Sequence, residues 1–204
     1  MISADEALGR LQEGNRRFVS GRSGDGSGRT FLPAEVADGQ APFAIILGCS
    51  DSRVPAEIVF DQGLGDLFVI RVAGNIVAPS QTGSVEFAAE SFGTPLVVVL
   101  GHTGCGAIQA TLDALAHPDE PTSRNLRSIV DRVRPAIAGV FEPGTKADPE
   151  ALFHQAVQAN VAASVAHLEN DSEILARRIG DGRLRVVGAE YDLATGVVDF
   201  LDAP

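Results

Sequence analysis

The chain has 204 residues, of which 45% are hydrophobic and 21% charged, a composition typical of a soluble protein with one substantial core. Its formal net charge of -11 argues against nucleic acid or an anionic membrane as a partner, because both bind clustered positive charge. The first residues include Asp5 and Glu6 and no apolar segment, so they do not predict a secretory signal. Two cysteines cannot form a disulfide framework, and we expect a cytoplasmic protein.

The first predicted element is a helix that begins with a capping box, formed by Ser3 and Glu6, and ends near residue 19. A glycine-rich connector at 21–28 follows it. We expect this helical arm to pack on another surface, and a dimer partner is one hypothesis. Further along, the apolar patterns predict a buried strand at 42–48, a short helix at 55–60 and a second strand at 66–72.

Helical and strand patterns alternate through the rest of the chain. Helices are predicted at 83–92, 107–115 and 122–138, and then from 149 to 179 with a break at 170–172. Strands are predicted at 96–100, 184–191 and 197–200, of which the last two form a hairpin. This order predicts an α/β fold with a mainly parallel central sheet flanked by helices and a carboxyl-terminal antiparallel edge hairpin.

Two loops, at 48–53 and 101–106, directly follow predicted strands and contain both cysteines of the chain. Open α/β sheets place their sites at the carboxyl ends of the strands, so we expect the two loops to meet there. Together they supply thiolate, imidazole and carboxylate groups, which are the ligands that zinc takes in proteins. A metal site is therefore the leading hypothesis, and the alternative is that both cysteines are buried apolar thiols. The candidate ligands are Cys49, Asp51, His102 and Cys105.

Asp51 has a second possible partner, because Arg53 lies two residues further along the chain. An arginine can hold a carboxylate through two parallel hydrogen bonds. If Arg53 holds Asp51, the fourth metal position is open to water, as catalysis requires. If Asp51 binds the metal as a fourth ligand, the site is closed and inert.

The motifs at 49–53 and 102–106 resemble those of the β-class carbonic anhydrases, and the resemblance covers nearly the whole chain. It implies a single domain over 1–204, with 1–30 as the helical arm and connector. It also implies reversible hydration of carbon dioxide to bicarbonate through zinc-bound hydroxide, with one Zn²⁺ per chain. By position, the resemblance assigns the zinc ligands to Cys49, His102 and Cys105, and the catalytic pair to Asp51 and Arg53.

The plant-like branch of that family also implies a carbon dioxide pocket and assembly as a homodimer or a dimer of dimers. The matching pocket positions are Gln40, Phe68, Phe87 and Gly106, where Phe87 replaces the tyrosine of some relatives. The alternatives are core packing for the two phenylalanines and an exposed loop for Gln40. Another branch carries a bicarbonate inhibitory site, whose arginine and tyrosine match Arg71 and Tyr191. Its tryptophan is absent because Ile46 stands there, so we interpret Arg71 as a structural or interface ion-pair residue.

Two other functions fit the same metal-ligand pattern. One is hydrolysis of carbon disulfide or carbonyl sulfide on the same scaffold, and the other is a non-catalytic, zinc-stabilised interaction protein. In the latter case Asp51 would bind zinc permanently. For the enzyme, two thiolates cancel the formal charge of zinc, so we predict activity that rises toward alkaline pH.

Overall fold

The computed structural model describes residues 2–24, 36–140 and 148–201. Its helices are α1 (Ala4–Val19), α2 (Ala56–Val59), α3 (Pro79–Ser91), α4 (Gly106–Ala116), α5 (Arg124–Ile137), α6 (Pro149–Asn170) and α7 (Glu173–Gly180). Its strands are β1 (Ala44–Gly48), β2 (Leu67–Arg71), β3 (Leu96–His102), β4 (Arg185–Tyr191) and β5 (Val198–Leu201).

The five strands form one sheet in the order β2-β1-β3-β4-β5. The first four are parallel to one another, and β5 pairs antiparallel with β4 at the edge. The predicted fold class is therefore confirmed, including the carboxyl-terminal hairpin. No helix in the described ranges has the length and apolar character needed to span a membrane.

Side chains of the buried strands alternate between two apolar layers, because successive residues of a strand point to opposite faces. On one face Ile46 packs in a cluster with Leu11 of α1 and Phe60. On the other face Val97 packs in a cluster with Val161 of α6. The sheet is thus covered on both faces, as parallel sheets require.

The amino-terminal helix packs on its own chain. The capping box of Ser3 and Glu6 is present at its start, as predicted. Near its other end, the buried Asn15 donates to the carbonyl oxygens of Val59 and Gly196 and accepts from the backbone N–H of Val198. In the structure α1 thus covers a surface of its own chain, and its packing on a dimer partner stays a hypothesis. Residues 25–28 of the predicted connector lie outside the described residues.

Candidate active site

The strand order brings the two candidate loops together. The chain leaves β1 to form β2 on one side of it and returns to form β3 on the other, so a topological switch point lies between β1 and β3. Cys49 directly follows the last residue of β1, and His102 is the last residue of β3. Cys105 occupies the N-cap position of α4. All three side chains therefore lie at the carboxyl edge of the sheet.

These three residues form a compact cluster of potential metal ligands. The ligand atoms of Cys49, His102 and Cys105 all lie within 4.8 Å of one another, and each residue is buried. In His102, Nδ1 lies 2.8 Å from the carbonyl oxygen of Thr103. A carbonyl oxygen can only accept, so Nδ1 carries the ring proton and Nε2 presents a lone pair.

That lone pair is the clearest indication of a ligand. Nε2 of His102 is buried and has no hydrogen-bond partner among the described residues. Leaving a buried polar atom unpaired is costly, and buried polar groups in proteins are normally satisfied. Two sulfurs and one imidazole nitrogen within 4.8 Å of one another are a donor set that zinc takes in its tetrahedral sites.

The thiols of Cys49 and Cys105 hydrogen-bond to each other, which shifts their pKa values in opposite directions. The hydrogen bond with Cys105 lowers the pKa of Cys49 to about 4, against the opposing effect of burial. The same contact raises the pKa of Cys105. The lowered pKa favours the thiolate form of Cys49, and a bound dication would favour ionisation of both sulfurs. The backbone N–H of Gly74 also donates to Sγ of Cys49 across 3.3 Å.

Arg53 holds Asp51 through a bidentate salt bridge. Nε of Arg53 donates to Oδ1 of Asp51 across 2.9 Å, and Nη2 donates to Oδ2 across 2.7 Å. The backbone N–H of Arg53 also reaches Oδ1, and Nη2 reaches the carbonyl oxygen of Gly104. These bonds hold the pKa of Asp51 well below its ordinary range, so the carboxylate stays ionised at neutral pH.

Arg71 binds the backbone at this edge, and the sequence did not predict these partners. Its Nε donates to the carbonyl oxygen of Cys49 across 2.9 Å, and Nη2 donates to that of Asp51 across 2.6 Å. It therefore fixes the backbone of the loop, which is a structural role, and an ion pair of Arg71 at an interface stays a prediction. The feature that would predict these bonds is the strand register, which pairs Arg71 with Gly48, the residue directly before Cys49.

The predicted pocket residues are not all brought to this edge. Gly106 is the first residue of α4, directly after Cys105. Phe68 pairs with Ile45, four residues before Cys49, which places it about 13 Å back along the strand at 3.3 Å per residue. Gln40 is exposed and precedes β1, at the opposite end of that strand.

Phe87 lies in α3 and is 53% exposed. It belongs to a cluster with Phe68 and Phe92, in which ring centroids are 5.6–6.1 Å apart. We call these three residues the phenylalanine cluster. It lies beside β2, the edge strand of the sheet. Within one chain, the predicted pocket is thus divided between two places.

Comparison with known proteins gives one consistent result. The family model described as carbonic anhydrase matches residues 44–198. Carbonic anhydrase 2 of Mycobacterium tuberculosis is 42% identical over 186 residues, covering 91% of this chain and 87% of the relative. The carbonic anhydrase of Mycolicibacterium smegmatis is also 42% identical, over 93% of this chain and 89% of the relative. The β-carbonic anhydrase of Coccomyxa, solved with acetazolamide, aligns with a TM-score of 0.72 and 29% identity, covering 95% of this chain and 86% of that one.

The doubly wound sheet and the Cys-His-Cys cluster at its switch point define an α/β protein with three potential metal ligands at one site. The comparisons then make the assignment specific. The chain belongs to the carbonic anhydrase family, in its β class, and it is a carbonic anhydrase that interconverts carbon dioxide and bicarbonate.

Proposed function

We propose that each chain binds one Zn²⁺ through Cys49, His102 and Cys105. The observation that carries this proposal is the buried Nε2 of His102, which lacks a partner among the described residues and faces two sulfurs. Bound there, zinc would lower the pKa of water so that hydroxide becomes available near neutral pH. The two thiolates and the imidazole would fix the metal and leave one position for that water.

In this proposal Asp51 is the catalytic residue that orients the nucleophile. Its carboxylate is ionised and can only accept, so it would take a hydrogen bond from the attacking hydroxide and direct the oxygen lone pair toward carbon dioxide. Arg53 completes the catalytic pair by holding both carboxylate oxygens. The closed state, with Asp51 as a fourth ligand, would require these bonds to break.

The substrate pocket would be completed by a second copy of the chain. Gly106 lies beside Cys105, so its backbone can approach a substrate at the metal centre. Gln40, Phe68 and Phe87 lie too far from Cys49 in their own chain to act there, and they could instead face the metal centre of a partner. Gln40 would donate to a substrate oxygen, and the rings would provide an apolar wall for carbon dioxide.

The same geometry supports assembly as a homodimer or a dimer of dimers. The phenylalanine cluster is an exposed apolar surface at an edge strand, which is typical of a protein–protein interface. The net charge of -11 argues against nucleic acid or an anionic membrane as a partner, and two cysteines without a disulfide between them fit a cytoplasmic enzyme.

The deciding experiment combines metal analysis with stopped-flow carbon dioxide hydration. We expect one zinc per chain, loss of hydration when a chelator removes the metal, and recovery when zinc is restored. Hydration that survives complete zinc removal would refute the proposal. Parallel assays with carbon disulfide and carbonyl sulfide test the alternative hydrolase, which the named relatives do not favour.

A further inference from the structure

A tight turn between β2 and α3 reaches the metal-ligand cluster. Gly74 and Asn75 both have positive φ angles, 73° and 43°. The backbone N–H of Gly74 donates to Sγ of Cys49 across 3.3 Å. A methyl group at Gly74 would lie 2.8 Å from Cβ of Ala107 in α4, so the turn is enclosed as well as sharply bent.

This turn is an unfavourable conformation that its surroundings must hold in place. A positive φ at the non-glycine residue Asn75 costs on the order of 1 kcal/mol or more. Asn75 is also buried, and its Nδ2 has no hydrogen-bond partner among the described residues. Conformations with such costs persist only where neighbouring groups stabilise them.

Helix α6 supplies that stabilisation. Nδ2 of Asn160 donates to the carbonyl oxygen of Gly74 across 2.9 Å, and Oγ of Ser164 donates to that of Asn75 across 3.3 Å. Asn160 and Ser164 are four residues apart, so they share one face of the helix. Both are buried, so solvent does not readily compete for these bonds.

The position of α6 is itself closely fixed. A methyl group at Gly101 in β3 would lie 2.6 Å from Val161, and one at Gly188 in β4 would lie 2.7 Å from the same side chain. The two glycines therefore let the helix pack directly against the sheet backbone. Because Val161 adjoins Asn160, this packing sets where the Asn160 amide meets the turn.

We propose that Asn160, assisted by Ser164, is a positioning residue for the metal centre, acting through the Gly74 N–H on the Cys49 thiolate. A hydrogen bond to a metal-bound thiolate withdraws electron density from sulfur and fixes the direction of its lone pairs. Changing a group that orients a ligand in this way typically lowers metal affinity by about 10–100-fold. The inference rests on the proposed binding of zinc by Cys49.

Cobalt substitution of the intact chain tests this directly, because the thiolate-to-cobalt charge-transfer band reports the electron density on sulfur. We expect Asn160→Ala to move the band to longer wavelength and to speed metal release to a chelator about tenfold. Ser164→Ala should give a smaller change in the same direction. The matched control is Thr94→Ala, which removes a buried hydroxyl that donates to the carbonyl oxygen of Pro42. Both residues lie just before the amino ends of strands, away from the metal-ligand cluster. The control should retain the spectrum and release rate of the parent chain.

If Asn160→Ala does not fold, Ser164→Ala decides the question. A parent-like band and release rate in the folded variants would overturn the inference, as would an equal change in Thr94→Ala. If the parent chain takes up no cobalt or zinc, the proposed metal centre fails and the inference fails with it. If the parent chain binds metal but the variants keep its band and release rate, the metal centre stands and only the proposed role of Asn160 and Ser164 is refuted.

Discussion

The metal-ligand cluster and the phenylalanine cluster differ in how much of the site one chain supplies. At the carboxyl edge, the three proposed ligands and the Asp51–Arg53 pair come from strand ends and loops that meet within the chain. At the β2 side, the rings of Phe68 and Phe87 pack on each other and remain partly open to solvent. Folding of one chain thus brings together the proposed metal ligands and the Asp51–Arg53 pair, whereas the proposed substrate pocket also requires a second chain.

The largest effect should come from removing a ligand. In Cys49→Ala the cluster keeps only one thiolate and one imidazole, too few to hold zinc in a stable tetrahedron. We expect metal content to fall from one zinc per chain to near zero, with carbon dioxide hydration lost and thermal stability reduced. Ser50→Ala is the control, because this neighbouring side chain is exposed. A Cys49→Ala chain that retains a full zinc equivalent would refute the ligand assignment.

Removing the carboxylate should separate metal binding from chemistry. Asp51→Ala leaves all three proposed ligands intact, so zinc content should match that of the parent. Without an acceptor to orient the nucleophile, kcat/KM should fall about 1,000-fold, within the range of positioned acid–base groups. Metal analysis and stopped-flow hydration on the same sample provide the test. Near-parental hydration would show that Asp51 has no catalytic role.

Disrupting the phenylalanine cluster should separate association from metal binding. Phe87→Glu places a charge on the proposed interface, and burying an unpaired charge there is strongly unfavourable. We expect a monomer by light scattering, a full zinc equivalent, and hydration reduced at least tenfold because the pocket is incomplete. Leu126→Glu, at another exposed apolar position on α5, is the control. A fully active Phe87→Glu monomer would contradict the proposed shared pocket.

The sequence predicted the parts of the site that depend on local order. The proposed ligands lie at or just after the carboxyl ends of buried strands, so predicting those strands was enough to predict that the ligands lie close together. The start of α3 was predicted four residues late, because Ser80, Gln81 and Thr82 show no apolar periodicity after Pro79. The hydrogen-bonding roles of Arg71 and Asn160 could not be predicted from neighbouring residues in the sequence. Their partners are 22 and 86 residues away, so their roles depend on register and helix packing.

The smallest effect should come from removing the residue that holds Asp51. Since Arg53 lowers the pKa of Asp51, Arg53→Gln should raise it toward its ordinary value, which is still acidic. Asp51 therefore remains ionised over the neutral range, from roughly pH 6 to roughly pH 9, because this range lies well above the ordinary pKa of an aspartate. The loss of activity should then reflect a less well oriented carboxylate rather than a protonated one.

We accordingly expect kcat/KM of Arg53→Gln to fall about tenfold by a nearly constant factor over that range, with zinc content unchanged. The variant should keep the rise toward alkaline pH that we predict for the parent, because Asp51 does not titrate in that range in either chain. The stabilising effect of the Asp51–Arg53 pair is present above the ordinary pKa of an aspartate and is lost as pH falls through the lowered one. A deficit that appears only on the acidic side and vanishes by pH 9 would instead show that Arg53 acts by keeping Asp51 ionised. The pH–rate profile of this one variant therefore distinguishes orientation from charge at the site.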